Sequence, residues 1–308
     1  MVLIRRSEEH LSKLFAGGEV PGFLHLSIGQ EAVAAGVCEA LVKGDTIAST
    51  HRGHGHALAK GVDVNGFFAE IMGRQEGICR GRGGSMHVAD MKAGMLGANG
   101  IVGGGLALAV GSALAHKVRR TGGAAAVFFG DGAMAEGALH ECLNLASLWK
   151  LPLLFVCENN GWSEFTPISR QFTAQIGALG EAFRIPGEQI DGSDVEAIHA
   201  AASRLVTQAR NGEGPRILEC NTQRWRGHFE GDAQKYRDSA EITAARSLDP
   251  LLVAAARLEA KGIAGDEIRA VERKVEACVN AAVTAARQGT EPDFTAAAAD
   301  VYAKAGDG

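Results

Sequence analysis

Apolar residues recur at helical spacing through residues 1–16 and 29–42, which predicts a helix over each. Between them GGEVPGFLHLS is a loop by its Gly and Pro content. The stretch 44–60 reads as a short strand, a loop and a helix, and 63–73 continues as helix. Residues 74–105 are glycine-rich and are predicted to be irregular, with a helix following over 105–119. Three short apolar runs then appear: AAAVFFGDG (124–132), LPLLFVCENN (151–160) and PRILECNT (215–222). Such runs suit strands buried on both faces. Predicted helices at 133–149 and 194–211 separate them, and the tail over 249–288 is helical in period. The alternation predicts an α/β fold, a doubly wound and mostly parallel sheet with a helical C-terminal tail.

With 308 residues, 46% of them hydrophobic, the chain can bury a large core. The net charge of -5 gives no reason to expect nucleic acid or a membrane surface as partner. No apolar stretch is long enough for a transmembrane helix, and the N-terminus MVLIRRSEEH has no signal-peptide core. The six cysteines form no C-x-x-C pair and are irregularly spaced, which fits a reducing cytoplasm. Cys157 lies in an apolar run and is expected in the core. Many of the 41 glycines cluster between 53 and 137, a sign of backbone drawn close to a ligand or another chain.

Two polar clusters each follow an apolar strand: Gly130-Asp131-Gly132 and Glu158-Asn159-Asn160-Gly161-Trp162. In a doubly wound sheet, ligands bind beyond the carboxyl ends of strands, so both clusters fall on one edge. If the strands are neighbours, Asp131 and Asn160 can meet. One carboxylate and one amide oxygen hold a bare divalent ion poorly. They suit magnesium already bound to a diphosphate, which supplies further oxygens. A helix starting near Ala133 would add backbone N–H groups and its positive end.

These two clusters together resemble the thiamine-diphosphate motif. PGFLHLSIGQEA (21–32), STHRGHGHALAKG (49–61), GRGGSMHVAD (81–90), MLGANGIVGGG (95–105), LNLASLWKLPLLFVCENNG (143–161) and RGHFEGDAQKYR (226–237) are similar to the alpha subunits of pyruvate and acetoin dehydrogenases. The resemblance implies a domain over 1–248, the diphosphate-binding half of the fold, with 249–308 as its helical extension. It implies that Asp131, the Asn160 side chain and the Trp162 carbonyl hold magnesium. Gly132 and Ala133 would offer N–H groups to the diphosphate, with Arg52 as a charge-assisted donor. His51 would lie beside it, where many relatives have Tyr. Gly100 and Val102 would hold the aminopyrimidine through backbone groups. His25, His54 and His228 would face the reacting centre, where imidazole can move protons near neutral pH.

The cofactor would carry the chemistry, cleaving the bond beside a carbonyl: carbon dioxide leaves a 2-oxo acid, acetaldehyde leaves acetoin. The acyl fragment would pass to a lipoyl-bearing acyltransferase. The glutamate that activates the aminopyrimidine lies on a separate beta subunit in this family. That implies an assembly of two alpha and two beta chains, with the glycine-rich loops over 77–105 as interface. Phe229 stands where mitochondrial pyruvate dehydrogenases carry a regulatory serine. Several blocks favour acetoin over pyruvate as the small-molecule substrate, with pyruvate or another 2-oxo acid as the alternative.

Other readings carry less. A zinc site at His54 and His56 would need further ligands from elsewhere, and both could be hydrogen-bonded loop histidines. Glu31 and Glu136 are expected to be structural. A subunit that has lost its chemistry is disfavoured by intact Asp131, Asn160, Arg52 and His228. A split transketolase half fits the blocks at 21–32 and 226–237 less well. A nicotinamide-binding protein fails because GIVGGG follows an irregular loop rather than a strand.

Overall fold

The computed structural model describes residues 1–301; the last seven residues of the expected C-terminal extension lie outside the described residues. Among the described residues eight strands appear: β1 Thr46–Ala48, β2 Met95–Gly97, β3 Ala125–Gly130, β4 Leu153–Asn159, β5 Trp162–Ser163, β6 Thr166–Pro167, β7 Gly187–Asp191 and β8 Arg216–Asn221. The first helices are α1 Val2–Ala16, α2 Glu31–Glu39, α3 His54–Ala59, α4 Val64–Ile71, α5 Gly104–Arg119 and α6 Gly137–Leu148. Then come α7 Ile176–Ala182, α8 Val195–Gln208, α9 Ser239–Ser247, α10 Pro250–Ala260, α11 Gly265–Arg287 and α12 Phe294–Ala299.

Six strands form one sheet in the order β2-β1-β3-β4-β8-β7. Every pairing in it is parallel. Side chains alternate across a strand, so each apolar run feeds two cores. Ala126, Phe128, Leu154, Val156, Leu218 and Cys220 pack with α1, α2, α4, α8 and α11. Ala125, Val127, Phe129, Leu153, Phe155 and Cys157 pack with α5 and α6 on the other face. Each fully buried Phe contributes about 1.5–3 kcal/mol by leaving water. The sheet is therefore doubly wound, as expected, and Cys157 is core.

Four features depart from expectation. β2 lies inside the stretch expected to be irregular, and β7 was not foreseen. Both are edge strands: β2 has only three residues, and β7 alternates between exposed and half-buried positions. The helix expected from Ala133 begins instead at Gly137, after a 3-10 turn over Asp131–Ala135. The chain must reverse within a few residues of β3, and Glu136 takes an extended conformation that separates turn from helix. The tail holds two helices where one continuous period was read, divided near Gly262 at φ +90°.

The irregular stretch before β2 is organised by one side chain. Glu70, at the end of α4, is fully buried. Its carboxylate accepts from the N–H groups of Cys79 (2.7 Å), Gly81 (2.8 Å), Gly83 (2.6 Å) and Gly84 (3.1 Å). Among the described residues, no helix is long and apolar enough to cross a membrane.

Candidate active site

The main cleft opens beyond the carboxyl ends of β1, β3 and β4. Ser49 to Arg52 line it after β1, Gly130 to Ala133 after β3, and Glu158, Asn160 and Trp162 at the end of β4. Gly100 and Val102 line it from the loop before α5, and His25, Arg224 and His228 from two further loops. Of the residues expected to hold the cofactor, the metal or the reacting centre, all except His54 line this cleft.

β3 and β4 are neighbours, with Gly130 paired to Glu158, so their two loops lie side by side. Asp131 is 1% exposed, and neither carboxylate oxygen has a hydrogen-bond partner among the described residues. Burial pushes its pKa up to about 7; nearby backbone N–H groups and the Arg224 guanidinium offset only part of that. Such a carboxylate exchanges its proton readily for a cation. The Asn160 amide is fixed at both ends: Nδ2 donates to Gln30 Oε1 at 3.0 Å, and Oδ1 accepts from the Trp162 N–H at 3.1 Å. Gly161 takes φ +78°, which turns the backbone back over the cleft. A Cβ on Gly132 would stand 2.6 Å from Ser163 Oγ, so only glycine lets the two loops approach this closely. A buried acid without partners, an amide oxygen and bare backbone together fit a divalent cation carrying a phosphate group.

Arg52 is buried and uses its Nη2 on the His228 carbonyl (3.0 Å) and its Nη1 on the Leu26 carbonyl, which leaves further donors free. Burial, with Arg224 close by, lowers its pKa to about 10, so it stays cationic. Arg224 is the largest fully buried side chain. It donates to the Glu164 carbonyl and the Tyr236 hydroxyl, and its Nε has no partner among the described residues.

His25, His51 and His228 form a cluster with ring centroids 4.7, 5.1 and 5.4 Å apart. Burial, then the Arg52 charge, pushes their pKa values down to about 3, 2 and 4. All three are neutral at pH 7. The Nδ1 atoms of His25 and His228 are buried without partners among the described residues.

His54 was expected at the reacting centre and is not there. It is fully buried behind the wall, with Nδ1 3.2 Å from Glu8 Oε1, Nε2 2.9 Å from Ser85 Oγ and its ring edge against Phe67. Both nitrogens are committed, so it supports the turn that brings Met86 to the cleft. His56 bonds Ser49 Oγ and Glu158 Oε1 and stacks on Phe128, so it shares no metal position with His54. Glu31 is structural, paired with Arg5. Glu136 ends the 3-10 turn and does not line the cleft.

Sequence reasoning missed Gln30, Glu158 and Arg224 as cleft residues. Glu158 was within reach, since it ends an apolar strand beside Asn159. Gln30 and Arg224 come from distant loops, and nothing local marks them.

Sheet and cleft define the class: a doubly wound α/β protein whose ligand site lies at the strand ends. The chain belongs to the dehydrogenase E1 component family, which matches residues 1–295. That family depends in general on thiamine diphosphate. The chain is 45% identical over 303 residues to the alpha subunit of acetoin:2,6-dichlorophenolindophenol oxidoreductase of Bacillus subtilis, covering 98% of this chain and 91% of that one. The subunit of the same description from Cupriavidus necator is 44% identical over 307 residues, with 98% and 92% covered. The pyruvate dehydrogenase E1 component subunit alpha of Rhizobium meliloti is 41% identical over 304 residues, with 98% and 87% covered.

Proposed function

We propose that this chain is the alpha subunit of a thiamine-diphosphate-dependent acetoin dehydrogenase, working with a beta subunit in an assembly of two alpha and two beta chains. The observation that carries the cofactor site is the buried, unpartnered Asp131 beside Asn160 on adjacent strand ends. In this reading Asp131, Asn160 Oδ1 and the Trp162 carbonyl hold magnesium. The N–H groups of Gly132 and Ala133 and the guanidinium groups of Arg52 and Arg224 face the diphosphate. Gly100 and Val102 present backbone to the aminopyrimidine. When bound, thiamine diphosphate supplies the electron sink for breaking the bond beside the substrate carbonyl.

This chain's own residues then do three things. The arginines and magnesium ligands position the diphosphate. Neutral His25 and His228, each with an unpartnered Nδ1, donate or accept a hydrogen bond at the substrate oxygen, with the His51 ring packed beside them. Phe165, packed on the His228 ring, and Phe229, packed on Phe23, add apolar surface next to that histidine. Ile101 and Val102, 72% and 50% exposed beside the cleft, suit coverage by the beta subunit, which would bring the missing glutamate. The acyl group passes to a lipoyl-bearing acyltransferase. Six cysteines without sequence pairing favour a cytoplasmic setting.

Two points favour acetoin over pyruvate or another 2-oxo acid. The two most similar relatives described above act on acetoin by name. The histidine cluster is uncharged, and in this reading both nearby arginines serve the diphosphate, so a neutral hydroxyketone is matched better than a carboxylate. The test is a side-by-side assay of acetoin and pyruvate with the beta chain encoded beside this one. Preferential turnover of pyruvate would overturn the substrate reading.

A further inference from the structure

Asn160 can serve a cation only with its oxygen; the NH2 end of an amide repels one. Which end faces the cleft is therefore a functional matter, and the fold decides it with two partners. The Trp162 N–H holds Oδ1 at 3.1 Å. Gln30 Oε1 takes Nδ2 at 3.0 Å. Gln30 is 2% exposed, lies at the N-cap of α2, and reaches the cleft from a helix unconnected with β4.

Its placement is tightly set. The Gln30 N–H donates to the Ser27 carbonyl at 2.9 Å. Gly29 before it takes φ +99°, and a Cβ there would lie 2.3 Å from the Gln223 carbonyl oxygen. No side chain fits at Gly29 without pushing the start of α2 away from Asn160. We propose that Gln30 is a positioning residue for the cation: its side-chain oxygen orients the Asn160 amide so that the oxygen, not the nitrogen, joins Asp131. The proposal rests on the cofactor reading above. It predicts that residue 30 must carry a hydrogen-bond acceptor, whatever else it does for the start of the helix.

The experiment is titration of thiamine diphosphate into the assembled enzyme, by calorimetry, at a series of magnesium concentrations. Gln30→Met keeps the length and shape and removes the acceptor; Gln30→Glu keeps an acceptor; Asp131→Ala is the control. Thermal unfolding of the cofactor-free protein checks that each variant is folded. The expected result is roughly tenfold weaker binding by Q30M at low magnesium, the order of effect when a buried N–H loses its acceptor, with recovery at high magnesium. Q30E should bind within about threefold of the unaltered protein. Equal loss in Q30M and Q30E, or no loss in Q30M while D131A fails to bind, overturns the role of Gln30 and leaves the site reading standing. Unchanged binding by D131A would instead remove the site reading itself.

Discussion

Replacing Asp131 with Asn should make the metal-free protein more stable in alkaline solution while abolishing its metal-dependent cofactor binding. The carboxyl titrates at 3.8 in an unfolded chain and at about 7 in the fold, chiefly because burial disfavours its charge. A carboxyl whose folded pKa is raised gives the fold stability that is complete below about pH 3.8 and is lost as pH rises through about 7. Taken whole, that step corresponds to about 4 kcal/mol. Asn cannot ionise and escapes it. The advantage of Asp131→Asn over the unaltered protein should therefore grow by roughly 3 kcal/mol between about pH 5 and pH 8. Urea unfolding at the two pH values, in chelator, measures the difference directly. A stability gap that does not change with pH would refute the claim that this carboxylate is buried without a partner. The same argument requires a proton to be released when magnesium and diphosphate bind below about pH 7, because the cation displaces it. Calorimetry in buffers of different ionisation enthalpy would register that proton.

Two other substitutions separate roles within the cleft. His228→Ala should lower turnover far more than cofactor affinity; equal loss of both would mark the residue as structural. His54→Ala should cost about 1–3 kcal/mol of stability, since Glu8 and Ser85 both lose a buried partner, and chemical denaturation would show it; lost turnover at unchanged stability would return His54 to the reacting centre.

The legible part of the fold was the part with strong patterns. β3, β4 and β8 announced themselves as unbroken apolar runs because both of their faces are covered. Their parallel reading put Asp131 and Asn160 on one edge of the sheet, and the pairing of β3 with β4 in the fold sets the two loops side by side. β2 was illegible because it is only three residues long, and β7 because its edge position leaves it mostly polar and part-exposed. The 3-10 turn at Asp131 was hidden because Ala133 and Met134 would also suit a helix. His54 misled for a different reason. Three histidines in HRGHGH are neighbours in sequence, but α3 begins at His54 and sends it inward to Glu8 while His51 stays in the loop. Gln30 and Arg224 reach the cleft only through tertiary packing, which local patterns do not encode.

The loop gathered around Glu70 has a consequence for how the subunit is built. Four main-chain donors converge on one side chain, much as they would on a bound phosphate, so the protein carries its own anion in place of a borrowed one. A stretch with almost no regular structure thus has its shape before any ligand or neighbouring chain arrives. Insertions there should be tolerated far less than in an ordinary surface loop, because each would pull a donor off the same carboxylate.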